Sequence, residues 1–142
     1  YHLNTPEIFG SIFRHEFVLG GVDFVVNALG VTNAIPNASA CILDVSLMKT
    51  LEWQNALDYT YSGDWYVYLI LAVQRSVAFT SKALNYHRRH PESVINSNLR
   101  KPNEIAKEAA RIQQLAIDLC RDGASLGSLE ERAKQWRARV FC

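Results

Sequence analysis

Residues 62–69 read SGDWYVYL, and their reading decides the fold. One carboxylate, Asp64, stands directly ahead of a dense apolar run that continues to Val73. Aspartate is a favoured residue at a helix start, where its oxygen accepts an orphan backbone N–H. The run WYVYLILAV has nine residues, half the roughly 18 needed to cross a bilayer. It therefore reads as a buried helix of a folded domain that opens at Asp64. A capping carboxylate also sits in the positive field of the helix end, which favours its ionised form. If it faces a cleft, it can accept a proton from a sugar hydroxyl. Capping alone explains the residue, and the two roles are compatible.

Working outward, the chain has the means to bury such a helix. Its 142 residues suit one compact domain. The composition is 49% hydrophobic and 20% charged, ordinary for a folded protein. Fifteen basic and 14 acidic residues leave a formal charge of +1. Nothing global draws the chain to nucleic acid or acidic lipid. A nucleic-acid surface would have to rest on Arg88, Arg89, Arg100 and Lys101, without a binding motif. Cys41, Cys120 and Cys142 are odd in number and far apart. They lack metal or redox spacing and read as reduced thiols, so the expected location is cytoplasmic, including the inner face of a membrane. Cys41 reads as a small hydrophobe.

Upstream, NTPEIFGSIFRHEF opens with Thr5, Pro6 and Glu7, which are helix-start residues. Ile8, Phe9, Ile12 and Phe13 follow at helical spacing, and Gly20–Gly21 breaks the helix. VDFVVNALG predicts a second short helix closed by Gly30. In NAIPNASACIL, Pro36, Asn37 and Ser39 predict a turn, and the residues after it a short buried strand. Ser46 is expected to cap a helix reaching Trp53.

Downstream, Val77–Phe79 and Leu84–Arg88 read as the two strands of a hairpin. It ends in His87, Arg88, Arg89 and His90 before Pro91. Alternation along a strand puts Arg and His on each face, a pairing able to meet a phosphate. A solvated basic strand end is the plainer explanation. Asn33, Asn37 and Ser39 could line a pocket, or simply tie down a loop through side-chain turns. His2 and His15 lack partners at metal spacing, and no metal site is expected on this chain.

Beyond a polar connector, Ile105, Ala109, Ile112, Ala116 and Leu119 mark one face of a long helix. A last helix, SLEERAKQWRARVF, carries a Ser128–Glu131 capping box and an apolar line of Leu129, Ala133, Trp136 and Val140. The expected fold class is α+β, mainly helical with a small sheet or β-hairpin. A body spans residues 1–97 and a helical extension residues 98–142, packed on the body or on a neighbour.

NAIPNASACIL, GDWYVYL and VAFTSKALNYHRRHPESV, in that order, resemble the C-terminal half of bacterial family 2 glycosyltransferases of the GT-A fold. The hairpin closing LNYHRRHPESV matches that family's pattern LN-Y-x-R-x-H-x-x-S-V. The resemblance covers about residues 25–97 and leaves residues 98–142 unassigned. It implies transfer of a sugar from a nucleotide-diphosphate donor to an acceptor hydroxyl of a cell-surface polysaccharide, typically with inversion. It implies that Asp64 is the general base and that Trp65 shapes the acceptor pocket, with Asn37 and Ser39 lining the cleft. Arg88 or Arg89, with His90, would lie near the donor diphosphate or its metal. The family's Asp-x-Asp, which holds Mn²⁺ or Mg²⁺, is missing, and no full Rossmann unit fits before residue 30. The chain also opens on Tyr1 rather than Met. The expectation is a piece of a longer enzyme, inactive alone, with the metal bound in the intact parent. The competing expectation is a non-catalytic interaction or dimerisation module, because a half-domain exposes the apolar surface that should meet its missing half.

Overall fold

The computed structural model describes residues 12–35, 37–86, 101–121 and 126–141. A single 3-10 turn, Ile12–Arg14, leads into strand β1, Phe17–Leu19. Helix α1, Gly21–Phe24, runs on into a π turn, Val25–Leu29. A 3-10 turn at Ala38–Ala40 precedes two short helices, α2 (Val45–Met48) and α3 (Trp53–Leu57). Helix α4 spans Gly63–Ala72 and is followed by strand β2, Val77–Phe79. Two long helices close the chain, α5 (Pro102–Leu119) and α6 (Leu126–Phe141). The molecule is mainly helical with one small sheet, an α+β arrangement.

The sheet is not the expected hairpin. β2 pairs antiparallel with β1, putting Phe17 opposite Phe79 and Leu19 opposite Val77. Leu84–Tyr86 form no strand, and His87 and Arg88 lie outside the described residues. Aromatic packing explains the choice of partner. The Phe17 and Phe79 rings stack with centroids 5.1 Å apart, and Phe13 meets Phe79 edge-on at 5.1 Å. Such pairs add about 0.5–1.5 kcal/mol each beyond the area they bury. Leu84 and Tyr86 are exposed and offer no such contact.

Gly21 permits the close approach beneath this sheet. A Cβ there would sit 1.6 Å from the Ala72 carbonyl oxygen and 2.3 Å from that of Arg75. Only a hydrogen fits where the start of α1 crosses the end of α4.

The core joins body and extension. Val25, Leu29, Trp65 and Leu69 pack in one cluster with Ala109, Ile112, Ala116 and Leu129. The expected apolar faces of α5 and α6 are thus turned onto the body. Leu119 and Val140, at their far ends, are exposed. A smaller cluster of Leu47, Ala56, Val67 and Leu71 lies on the other flank of α4.

The π turn frees carbonyls that a regular helix would use. Gly30 N–H donates five residues back to the Val25 carbonyl at 2.7 Å. The carbonyls around it are met from three other helices. Trp65 Nε1–H donates to Leu29 O at 2.7 Å. Gln113 Nε2 donates to Val31 O at 2.6 Å. Arg132 donates to Val26 O at 3.1 Å and to Asn27 O at 2.8 Å. Gln113 is fully buried and also accepts from Arg137, so both ends of its amide are used. Buried polar groups are tolerated on that condition.

Other local expectations shift. The residues after Ala40 run on irregularly to Asp44 and form no strand. Asp44, not Ser46, caps α2, its Oδ1 accepting from Ser46 N–H at 2.8 Å. The expected single helix to Trp53 is two short ones, broken between Met48 and Trp53. α6 begins at Leu126, so Ser128 lies inside its first turn and not at the position before it. The expected helix start at Thr5, Pro6 and Glu7 lies outside the described residues, as do Ile8, Phe9 and Pro36.

Candidate functional site at the head of helix α4

Helix α4 starts at Gly63, with Ser62 at the cap position, so Asp64 is the second residue inside the helix. The side chain of Ser62 makes no capping bond. Asp64 supplies it instead, accepting the Trp65 N–H on Oδ1 at 2.7 Å. Asp64 is therefore not the cap residue expected; it meets an N–H of the first turn from two positions past the cap. Asn33 Nδ2 donates to the same oxygen at 3.4 Å. Both bonds fall on Oδ1. Oδ2 accepts from no other residue among those described.

The electrostatics of Asp64 run opposite to the expectation from the helix field alone. The residue is exposed by area, yet protein crowds one side of its carboxyl. That burial raises its pKa above the ordinary 3.8, and it outweighs the bonds from Trp65 and Asn33, which lower it. A base with a raised pKa holds a transferred proton better at neutral pH. The same shift has a stability consequence. A folded-state pKa raised above the unfolded one means that ionised Asp64 costs stability. The cost is absent below about 3.8 and grows as pH rises through the folded value. Asp64→Asn keeps an oxygen for the Trp65 N–H and loses the charge. Its thermal midpoint is therefore expected to exceed wild type at neutral pH. The gain should vanish below the ordinary carboxyl pKa. A variant that melts lower at neutral pH contradicts this.

Tyr68 stands four residues after Asp64 and so on the same face of α4. It is 4% exposed, and its hydroxyl is buried with no hydrogen-bond partner among the described residues. The Cys41 thiol lies against it but gives its own proton to the Ala38 carbonyl at 3.2 Å. A thiol sulfur is a weak acceptor, so the phenol gains little from its contact with Cys41. Burial, then the charges of Cys41 and Asp64, pushes the Tyr68 phenol well above the ordinary 10. Burial also pushes up the Cys41 thiol. Sequence reading took Cys41 as packing and passed over Tyr68. The spacing of four from Asp64 was the available signal.

The other expected residues are distributed as follows. Trp65 turns inward, 3% exposed and edge-on to Trp136 at 6.1 Å, so it anchors the core instead of lining a pocket. Asn37 and Ser39 bond each other, and Asn37 Nδ2 donates to Asn85 Oδ1 at 3.4 Å. Asn85 Nδ2 returns a bond to Ser39 O at 2.9 Å. The NAS and LNY segments are thus brought together by Asn85. Arg88, Arg89 and His90 lie outside the described residues.

The loop that delivers α4 is itself held. Glu108 of α5 accepts the backbone N–H groups of Thr60 at 2.8 Å and Tyr61 at 2.9 Å. Arg111 lies over the Tyr59 ring, 4.6 Å from its centroid. A shallow open depression of about 410 Å³, lined by Gly20, Asp23, Gln74 and Arg75 among others, sits at the opposite end of α4. One helix length, roughly 15 Å, separates it from Asp64. It shares no residue with the carboxylate site.

Among the described residues, no group of three or more His, Cys, Asp or Glu side chains could hold a metal ion. No helix among the described residues is long and apolar enough to cross a membrane. Comparison with protein families, curated proteins and solved structures finds no match.

Proposed function

We propose that this chain is the acceptor-side part of a glycosyltransferase, with Asp64 as its general base. The observation that carries the reading is the state of Asp64. One carboxylate oxygen is held by Trp65 and Asn33, the other accepts from no other residue among those described, and burial raises the proton affinity of the group. That is the condition of a base and not of a spent cap. The resemblance of residues 25–97 to family 2 glycosyltransferases supplies the reaction class.

In this reading the acceptor hydroxyl gives its proton to Asp64 Oδ2. The oxygen attacks the anomeric carbon of a nucleotide-diphosphate sugar. The bond to the diphosphate breaks, and the nucleotide leaves with the electron pair. A single displacement of this kind inverts the anomeric centre. Arg88, Arg89 and His90 remain the proposed neighbours of the diphosphate. The Mn²⁺ or Mg²⁺ proposed for the intact parent goes with the family's Asp-x-Asp, which this sequence lacks. No step here runs through it.

The test is sugar transfer by the intact protein that carries this chain, with a panel of nucleotide sugars. Transfer that is lost in Asp64→Asn is the expected result. Transfer undiminished in that variant, or no transfer from any donor, contradicts the reading.

One observation favours the second reading, an interaction or dimerisation module. Ile42, Val45, Trp53 and Leu57 are all exposed, and so are Leu84 and Tyr86. Single exposed apolar residues are ordinary. Several within one stretch of chain suit a partner surface. Sedimentation of the chain over a range of concentrations tests it, and a strict monomer contradicts it.

A further inference from the structure

We propose that the two C-terminal helices position the carboxylate: Gln113 of α5, held by Arg137 of α6, fixes the turn that presents Asn33 to Asp64. Among the described residues, Asn33 is the hydrogen-bond donor that reaches Asp64 from outside α4. Its amide has a set orientation. The Ile35 N–H can only donate, and at 3.3 Å it takes Asn33 Oδ1. Nδ2 is therefore the end turned to Asp64 Oδ1, at 3.4 Å. Where this amide sits depends on an irregular segment, residues 33–35, that follows the turn at Val31 and Thr32. Ala34 anchors the far side of Asn33 in the core. The near side is anchored at Val31, whose carbonyl accepts from Gln113 Nε2 at 2.6 Å.

Gln113 has no exposed surface, and a buried amide is stable only when both of its ends are bonded. Arg137 takes the Oε1 end, so the Nε2 end is left for Val31. Shifting Val31 would strand buried polar groups, at about 1–3 kcal/mol each. A second tie on the same stretch joins it to α4, through Trp65 Nε1–H on Leu29 O at 2.7 Å. Helices α4, α5 and α6 thus converge on residues 29–33. The product of that convergence is an amide set against Oδ1, with Oδ2 left to meet an acceptor. This gives residues 98–142 a part that the resemblance leaves unassigned. The consequence for turnover rests on the glycosyltransferase reading. The placement of Asn33 by Gln113 does not.

The test is the titration of the Asp64 carboxyl carbon, followed by NMR on the full chain and assigned by its loss in Asp64→Asn. Besides Asn33, the groups that face Asp64 among the described residues are the Cys41 thiol, the Tyr68 phenol and the Trp65 N–H. The variants leave all three in place. The Asn33 bond lowers the Asp64 pKa, so Asn33→Ala should move the titration midpoint up. Gln113→Met keeps the side-chain length and loses both amide bonds. It should move the midpoint in the same direction, and should add nothing in the Asn33→Ala background, because the two residues act as a unit. Gln113→Asn, one carbon shorter and so drawn back from Val31, takes its place if the Met variant does not fold. The inference is overturned if Asn33→Ala leaves the midpoint where it was. It is also overturned if a folded Gln113 variant melts lower with the Asp64 titration unmoved, or shifts it as far without Asn33 as with it. In the intact protein each single variant should lower kcat roughly tenfold, the effect of a misplaced group. Titration shifts without any sugar transfer would remove the enzyme reading and leave this inference standing. Transfer that depends on Asp64, beside a titration that neither variant moves, would do the reverse.

Discussion

Asp64→Asn in the intact protein is expected to lower the turnover number by about 10²- to 10⁴-fold while moving the acceptor KM little. The size of the effect separates two roles for one residue. A helix-start carboxylate replaced by Asn loses little stability and no chemistry, because Asn is as good at a helix start. Here the retained oxygen still meets the Trp65 N–H, the shorter of the two bonds at 2.7 Å. Loss of a proton acceptor costs about 3–5 kcal/mol of barrier, the energy of the stated fold-change. A fall of that size with an unchanged or raised melting point cannot come from a damaged helix. Single-turnover rates measured beside equilibrium melting decide the matter. Turnover within threefold of wild type sinks the base assignment.

The second large effect concerns what holds the site in place. Ile112 lies on α5 with no exposed surface, in the same cluster as Val25, Leu29 and Leu69 of the body. Ile112→Ala is expected to cost about 2–5 kcal/mol, the range for removing a branched side chain from a packed core. For a chain of this size the thermal midpoint should fall by on the order of 10 °C. The loss should reach beyond α5. Glu108, one turn away on that helix, holds Thr60 and Tyr61 ahead of α4. Native-state hydrogen exchange should therefore lose protection in α4 and α5 together. Protection lost from α5 alone, with α4 untouched, would mean that the two long helices are an appendage and not part of the site's support.

How far these features could be read from the residues follows from the range of the forces involved. α5 was legible because Ile105, Ala109, Ile112 and Ala116 repeat locally, and the same spacing governs the face that packs. The start of α4 was legible within one position from Gly63 and Asp64. The partner of β2 was not. Val77–Phe79 chose Phe17–Leu19, some sixty positions away, through phenylalanine packing that leaves no local pattern. The π turn at Val25–Leu29 was equally silent, since its signature is the set of side chains that meet its carbonyls, and those come from Trp65 and Arg132. Trp65 shows the hazard of reading a role from its neighbour. It follows Asp64 in the chain but lies about 100° further round the helix, since consecutive helical residues do not share a face. For the same reason Tyr68, not Trp65, is the aromatic residue beside the carboxylate. Asn85 was quoted as part of a hairpin pattern, and its use as a tie to Asn37 and Ser39 needed the fold.

The most direct test of the central claim is the pH dependence of kcat/KM for sugar transfer by the intact protein, wild type against Asp64→Asn. A general base works only when deprotonated, so the rate falls on the acid side through its pKa in the free enzyme. Burial raises that of Asp64, so the acid limb should centre above the ordinary value of 3.8. In Asp64→Asn the residual rate should be low and the limb should disappear. An unchanged acid limb at wild-type turnover would show that the proton goes elsewhere, and that Asp64 only begins a helix.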